Sequence, residues 1–164
     1  MKKTIALLLL SALVIGVFTA CAGGGNPASS SEVPVLNCTF PQLAEELKGL
    51  MVLENVFEKG ATDVDTDAGI DPDFFEEGFW ICDITIYSAE MVAFYAAKDA
   101  AKAAEIKTKL ESKLQSLRSQ YENYPPPENK TMTENGVIEV KGTYVYMVIS
   151  PNADTILNAI KAHF

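Results

Sequence analysis

An alternating segment near the middle of the chain constrains the fold more than any other feature. Over residues 79–87, every second residue belongs to a wholly apolar set, formed by Trp80, Cys82, Ile84 and Ile86. The residues between them form a mixed set, which comprises Phe79, Ile81, Asp83, Thr85 and Tyr87. Because successive side chains of a strand point to opposite faces, this pattern predicts a half-buried strand. A turn at 88–90 leads to a second predicted strand at 91–97, so the chain contains a sheet.

Segments on either side of these strands have apolar residues at the spacing of a helix. Thr39-Phe40-Pro41-Gln42 is a capping box, and the leucines that follow it predict a helix over residues 40–53. Asp99 is the predicted N-cap of a long helix that ends near Asn123, before the three prolines at 125–127. Its apolar stripe consists of Ile106, Leu110, Leu114, Leu117, Tyr121 and Tyr124.

The last third of the chain shows strands followed by a helix again. Strands are predicted at 137–140 and 143–149, with Lys141-Gly142 as the turn between them and Ser150-Pro151-Asn152 as the start of a final helix. The predicted fold class is therefore α+β, with a four-stranded antiparallel sheet packed by helices.

An internal likeness adds a prediction about the arrangement of the helices. Residues 92–100 can be aligned with residues 145–153, since both contain a strand, a short transition and a capped helix. One interpretation is a duplicated hairpin-helix unit, which places both helices on one face of the sheet. The alternative is that any junction between a strand and a helix produces this likeness.

The N-terminus carries the pattern of an export signal. Lys2 and Lys3 precede an apolar run at residues 5–18, which is too short to span a membrane well. Phe18-Thr19-Ala20-Cys21 resembles a bacterial lipobox. We therefore expect a lipoprotein signal peptide at residues 1–20 and a diacylglycerol group on Cys21. The alternative is an ordinary secretory signal with an incidental cysteine.

The remaining chain divides into a Gly/Ser-rich tether at residues 21–36 and one α+β domain at residues 37–164. Removing residues 1–20 removes two lysines and no acidic residue, so the net charge changes from −9 to −11. Such a domain is repelled by anionic lipid, and we expect the N-terminal lipid to hold it at the outer face of the cell membrane. The acidic balance argues against nucleic acid as a partner.

The chain also resembles a known family. The resemblance is carried by Gly69-Ile70-Asp71, the strand pair, the segment 94–99, Tyr124-Pro125 and the segment 142–150. These are similar to small lipoproteins of Gram-positive bacteria that carry domain of unknown function 4358. The resemblance covers about residues 40–164 in matching order. It implies a location in the cell envelope and supplies no activity and no catalytic residue.

An acidic segment suggests a cation site. Carboxylates recur along residues 63–73, and the proposed ligands are Asp63, Asp65, Asp67 and Asp71. Oxygen ligands at every second position suit calcium, but Ala68 takes the place of the glycine that such a loop needs. The alternative is a solvated acidic loop. If calcium binds, millimolar calcium raises the melting temperature.

Two cysteines remain after Cys21. Cys38 and Cys82 form an even pair outside the membrane, which permits a disulfide between them. Cys82 also lies on the apolar face of its predicted strand, where a buried thiol is common. Both alternatives stay open at this point.

Aromatic residues of the strands suggest a binding surface. If helices cover one face of the sheet, the opposite face presents Phe79, Tyr87, Tyr95, Tyr144 and Tyr146. An exposed aromatic cluster is typical of a recognition surface. The alternative is that the first helix or the segment 54–78 packs over these residues and makes a third layer.

The pattern predicts no catalytic residue. The single histidine, His163, lies in the final helical turn, and the serines have no nearby base. We therefore expect a non-catalytic binding or accessory module that recognises an envelope protein or a small ligand. The alternatives are a carboxylate-dependent hydrolase, assisted by calcium, and a module with a purely structural role.

Overall fold

The computed structural model describes residues 34–60, 68–85, 87–124 and 126–164. The predicted signal peptide, Cys21 and most of the predicted tether lie outside these residues. The helices are α1 (Phe40–Lys48), α2 (Ala100–Tyr121), α3 (Pro127–Glu134) and α4 (Ala153–Ala162). The strands are β1 (Val56–Lys59), β2 (Phe75–Asp83), β3 (Met91–Ala97), β4 (Val137–Lys141) and β5 (Tyr144–Ile149). A single 3-10 turn, Pro72–Phe74, precedes β2.

The sheet has five described strands in the order β1-β2-β3-β5-β4, and every neighbouring pair is antiparallel. The α+β class is confirmed, but the prediction of four strands is wrong. The additional strand is β1, which pairs with the end of β2 from Val56 opposite Asp83 to Lys59 opposite Trp80. β1 has only four residues and is largely exposed, so it lacks the alternation that reveals a half-buried strand.

Helices cover both faces of the sheet. α2 packs on the face that carries Trp80, Tyr95 and Met147. α1 and α4 pack on the opposite face, against side chains that include Phe94 and Tyr146. The domain therefore has three layers, with one apolar core on each side of the sheet.

The helices that follow the two hairpins lie on opposite faces, so the predicted duplicated unit with both helices on one face is wrong. The aligned segments match Phe94 with Met147, but these two residues belong to opposite cores. Phe94 instead lies opposite Tyr146 across the β3–β5 pair. The alignment is out of phase by one residue, and a shift of one residue moves every side chain of a strand to the other face.

The position of β2 also differs from the prediction. The strand covers residues 75–83 instead of 79–87, and Ile84 is 65% exposed. It ends at Asp83 because that carboxylate accepts hydrogen bonds from the main-chain N–H and the hydroxyl of Thr85, which turns the chain. Ile86, assigned to the apolar face, lies outside the described residues. β3 is confirmed at its predicted bounds.

Helix starts were predicted better than helix ends. The capping box of Thr39 and Gln42 is present, and the carboxylate of Asp99 caps α2 by accepting from the N–H of Lys102. α1 ends at Lys48, five residues earlier than expected. The sequence pattern does not indicate α3, because a run of prolines ordinarily marks the end of a helix. Proline also fits the first turn of a helix, and Pro127 begins α3.

The turn between β4 and β5 lies one residue later than expected. It consists of Gly142 and Thr143, because Lys141 pairs with Tyr144. Gly142 has a φ of 63°, a conformation that side chains other than glycine rarely adopt. A Cβ at this position would also lie only 2.8 Å from Cδ of Pro34.

The sheet separates the two cysteines. Cys38 packs against the core under α1 and α4, whereas Cys82 packs against the core under α2. They are not joined in the structure, so of the two alternatives that the sequence leaves open the disulfide is not the one observed. The physical reason is that Cys82 points to the face opposite the one that the N-terminal segment covers.

Candidate functional site

A groove lies between α3 and the junction of β5 with α4. Its volume is about 810 Å³. One wall is a single face of α3, since its lining residues follow the helical spacing: Glu128, Thr131, Met132 and Asn135. The other wall is the continuous segment from Ser150 to Thr155, and Val137 at the start of β4 completes the lining.

The wall from Ser150 to Thr155 is held by polar contacts with distant parts of the chain. The Ser150 hydroxyl donates to Oε1 of Glu90 at 2.5 Å and accepts from the N–H of Asn152 at 3.0 Å. The side-chain amide of Asn152 donates to the carbonyl of Leu50 at 2.9 Å. The start of α4 is thereby tied to β3 and to the segment after α1.

Glu90 is a buried carboxylate directly behind this wall, and its side chain is 2% exposed. Its second oxygen, Oε2, accepts from the N–H of Val52 at 3.0 Å. Burial raises the pKa of Glu90, the hydrogen bonds from Ser150 and Val52 offset part of this effect, and the nearby charge of Asp83 adds to it. The net result is a pKa above the ordinary value of a glutamate.

Asp83 is the second buried carboxylate at this end of the sheet. Its Oδ2 accepts from the N–H groups of Glu54 at 3.3 Å and Asn55 at 3.2 Å. Its Oδ1 accepts from the N–H of Thr85 at 2.8 Å and from the Thr85 hydroxyl at 2.7 Å. Burial raises the pKa of Asp83, but these four hydrogen bonds outweigh burial and lower the pKa below its ordinary value.

Asn129 positions the α3 wall. This residue is 1% exposed, its Oδ1 accepts from the N–H of Ala89, and its Nδ2 donates to the carbonyl of Tyr87, both at 2.8 Å. At the other end of the helix, Arg118 of α2 donates to the carbonyl of Thr133 at 2.9 Å. Hydrogen bonds to neighbouring segments thus hold both walls of the groove in place.

The groove carries negative charge. Its lining contains Glu128 and Asp154 and, among the described residues, neither lysine nor arginine. Both acids lie in the first turns of their helices, where the helix dipole favours a negative charge. Carboxylates, hydroxyls and amides on walls that also contain Met132 and Val137 suit a polar ligand that is neutral or positively charged.

The predicted aromatic surface is not formed, and the prediction of an exposed cluster is wrong. Phe79 and Tyr146 are buried on the face under α1 and α4, whereas Tyr95 is buried on the face under α2. Tyr144 is half-buried against Phe164, and only Tyr87 is well exposed, beyond the end of β2. The alternative, in which the first helix covers this face, is confirmed.

Phe40 of α1 shows how that face is covered. Its ring meets the rings of Phe79 and Phe94 edge-on, with centroids 6.0 and 5.4 Å apart. The aromatic residues of the strands therefore serve the core.

The predicted calcium ligands are described only at Asp71. Its carboxylate accepts from the N–H of Asp73 at 2.9 Å and caps the short 3-10 turn. Asp63, Asp65 and Asp67 lie outside the described residues, so the calcium site stays a prediction. Within the described ranges, no group of three or more His, Cys, Asp or Glu side chains is placed to hold a metal ion.

Sequence reasoning missed the residues that build the groove. The pattern places Ser150 only at the start of a helix and Glu90 only in a turn. Asn129 follows the prolines, and no local pattern marks it as a buried residue that positions a helix. One cue was available: Glu90 is a charged residue directly before the apolar run of β3, a position where burial requires a polar partner.

Comparison with known proteins identifies a family. The sequence model of a protein family, described as Domain of unknown function (DUF4358), matches residues 53–150. This range contains all five strands, α2, α3, Glu90 and Ser150. No curated protein and no solved structure matches the chain. None of the helices in the described ranges is long and apolar enough to cross a membrane.

Proposed function

Because this chain belongs to the DUF4358 family, whose description assigns no activity, we propose a function from the chain's own residues. The protein is a lipid-anchored, non-catalytic binding module at the outer face of the cell membrane. Its ligand occupies the groove between α3 and the segment Ser150–Thr155. The observation that carries this proposal is the groove itself, with two walls that are already fixed by buried hydrogen bonds.

The N-terminal sequence supports the location. Lys2 and Lys3, the apolar run and Cys21 follow the order of a lipoprotein signal, and a Gly/Ser-rich tether comes next. Metabolic labelling with a radioactive fatty acid tests this directly. We expect label on the wild-type chain and none on the Cys21→Ala variant. Equal labelling of both chains contradicts anchoring through Cys21.

The size and rigidity of the groove support binding. Ligand pockets commonly measure about 300–1,000 Å³, and this groove falls within that range. Preformed walls lower the entropic cost of binding, since few groups are ordered when the ligand arrives. The carboxylates of Glu128 and Asp154 favour a polar group of neutral or positive charge, carried by a small molecule or by a loop of an envelope protein.

Binding accounts for the two buried carboxylates, Glu90 and Asp83, better than hydrolysis does. A carboxylate that acts as a general acid or base must reach the substrate directly or through one water. Glu90 and Asp83 do not line the groove, and each already accepts hydrogen bonds from main-chain N–H groups. They hold the surrounding segments in place, which is the role that a binding module requires of them.

Binding can be mapped by NMR with the small-molecule fraction of the producing cell's envelope as the probe. We expect chemical-shift changes at the amides of residues 131–135 and 152–155. Thr155→Arg places a bulky cation in the groove and should abolish these changes. The matched control is Thr108→Arg on the exposed side of α2, which should preserve them. Changes that cluster elsewhere, or that survive Thr155→Arg, contradict the proposal.

A further inference from the structure

β4 is an edge strand that pairs only with β5. The phase of its hydrogen bonds follows from the neighbouring pair. The N–H of Ala97 donates to the carbonyl of Thr143, so the main-chain groups of Thr143 face β3 and those of the next residue, Tyr144, face β4. Lys141 lies opposite Tyr144 and is therefore the first residue of β4 whose main-chain groups face β5.

The free side of β4 offers unused main-chain groups. Because these groups alternate between the two sides of a strand, Ile138 and Val140 direct their N–H and C=O groups away from β5. In the part of the chain that the structure describes, neither residue makes a main-chain hydrogen bond outside the β4–β5 pair. The side chain of Val140 is also 44% exposed. An edge of this kind is a template for an added strand.

The charged side chains of β4 are engaged elsewhere. Glu139 accepts from Nζ of Lys161 on α4 at 2.8 Å, and Nζ of Lys141 lies 4.5 Å from the centroid of the Phe164 ring, just after α4. Charged side chains commonly protect an open edge against an added strand. On β4 these side chains instead stabilise the packing of α4 on the sheet.

The two ends of β4 lead to different places. At its end, the turn residue Gly142 lies against Pro34, where the predicted tether joins the domain. At its start, Val137 lines the groove. Five residues of a strand span roughly 16 Å, so the groove lies at the far end of β4 from the tether. The other edge strand, β1, contributes no residue to the groove lining.

We propose that the ligand of the groove is an extended segment of another envelope protein, which adds to β4 as an antiparallel strand and places a lysine or arginine in the groove. This inference rests on the proposed function, because it names the occupant of the same groove. Antiparallel pairing continues the pattern of the described sheet. In that orientation the C-terminal end of the segment arrives at Val137, where Glu128 and Asp154 attract a cation.

An NMR titration of the full chain with three pools of acetylated hexapeptides tests the proposal. Five positions of every pool are drawn from threonine, serine, valine and tyrosine. The sixth residue is a lysine at the C-terminal end in the first pool, a lysine at the N-terminal end in the second, and a glutamate at the C-terminal end in the third. The first pool should shift the amides of Ile138, Val140 and residues 152–155. The other two should bind at least about tenfold more weakly. Equal binding of all three pools, or no shift at β4 with the first, overturns the proposal.

A proline on the free side of β4 tests the main-chain contacts. Val140→Pro removes one outward N–H and leaves the β4–β5 hydrogen bonds intact, so it should weaken binding of the first pool at least about tenfold. The matched control is Val56→Pro on β1. The N–H of Ile84 donates to the carbonyl of Asn55, so the main-chain groups of the next residue, Val56, also face outward. Unchanged binding in Val140→Pro, or an equal loss in Val56→Pro, overturns the proposal.

Two further measurements do not depend on how these variants fold. Methylation of every main-chain nitrogen in the first pool should abolish its binding to the wild-type chain, and retained binding contradicts strand addition. Without peptide, the amide of Val140 should exchange rapidly with solvent. Protection that rises with protein concentration would assign the edge to a second copy, and protection independent of concentration to the chain's own N-terminal segment. Either result overturns the proposal.

Failure of strand addition can be told apart from failure of the proposed function. The small-molecule fraction of the envelope serves as the second probe, and the readout is the amides of residues 131–135 and 152–155. If this fraction shifts them in wild type and in Val140→Pro but not in Thr155→Arg, while the first pool shifts nothing, the groove binds a ligand without β4. If neither probe shifts these amides, the proposed function fails as well.

Discussion

The two buried carboxylates at one end of the sheet have opposite properties. Asp83 and Glu90 are both almost inaccessible to water, and each joins the segment after α1 to the sheet. Asp83 accepts four hydrogen bonds and has a lowered pKa, whereas Glu90 accepts two and has a raised pKa. The number of donors, rather than burial alone, decides which form of a buried carboxylate is favoured.

The difference has a structural meaning. Asp83 is part of a self-contained turn, because its donors come from residues 54, 55 and 85, which all adjoin the β1–β2 pair. Glu90 instead joins three segments that are far apart in sequence: β3, the segment after α1 and the wall of the groove. We infer that Asp83 defines the end of the strands, while Glu90 defines the shape of the candidate ligand site.

Truncation of the two carboxylates should give the largest effects. Asp83→Ala leaves three main-chain N–H groups without their acceptor and should lower the free energy of unfolding by about 3 kcal/mol. Glu90→Ala removes fewer hydrogen bonds together with an unfavourable buried charge, and should cost about 1–2 kcal/mol. Urea denaturation measures both. If Glu90→Ala lowers the free energy of unfolding more than Asp83→Ala does, the number of hydrogen bonds does not decide which carboxylate stabilises the fold more.

Neutral isosteres sharpen the contrast. Glu90→Gln can keep both contacts, because the amide oxygen accepts from Val52 N–H and the amide nitrogen can donate to the Ser150 hydroxyl. Its stability at pH 8 should lie within about 0.5 kcal/mol of wild type. Asp83→Asn places an amide donor among four donors and should cost about 2 kcal/mol. Similar losses in both isosteres would show that the hydrogen-bond count is not decisive.

The contributions of Glu90 and Asp83 to the free energy of unfolding should depend on pH in opposite directions. The folded-state pKa of Glu90 is raised above its ordinary value of 4.5, so the folded protein holds this proton more tightly and the contribution of Glu90 declines as pH rises through that raised pKa. The folded-state pKa of Asp83 is lowered below 3.8, so its stabilising contribution is present above that pH and is lost as pH falls through the lowered pKa.

Glu90→Gln isolates the first contribution. The difference in unfolding free energy between this variant and wild type should shift in favour of the variant as pH rises above 4.5. Thermal unfolding between pH 4 and pH 8 measures this difference. A difference that stays constant across the range would mean that Glu90 has no raised pKa in the folded protein.

A substitution in the lining of the groove is expected to have the smallest effect on stability. Thr155 is exposed and none of the described hydrogen bonds involves its side chain, so Thr155→Arg should change the free energy of unfolding by less than about 0.5 kcal/mol. This variant therefore tests the groove without disturbing the carboxylates behind it. A loss above 1 kcal/mol would mean that the groove is part of the structural core.

Sequence patterns predicted the elements better than their arrangement. β3, the capping box of α1 and the Asp99 cap were predictable because each depends on residues only a few positions apart. β1 was missed because four exposed residues carry no periodic signal. The duplicated unit was wrong because a phase error of one residue exchanges the two faces of a strand.

The candidate site could not be predicted from local sequence patterns, for a different reason. Glu90 and Ser150 are 60 positions apart and meet only because β3 and β5 are neighbours, although a hairpin, a long helix and α3 separate them in the chain. His163 and Asn37 are 126 positions apart. Such contacts depend on strand order and on the choice of face, and neither can be derived from the spacing of residues along one segment.

The most direct test of the groove as the ligand site is photo-crosslinking in the producing cells. A photoreactive amino acid replaces Thr155 in one strain and the control position Thr108 in another, and adducts are identified by mass spectrometry. We predict a specific adduct from position 155, lost when Thr131→Arg blocks the opposite wall, and no such adduct from position 108. An identical adduct pattern from both positions, or no adduct from position 155, would contradict a binding function for the groove.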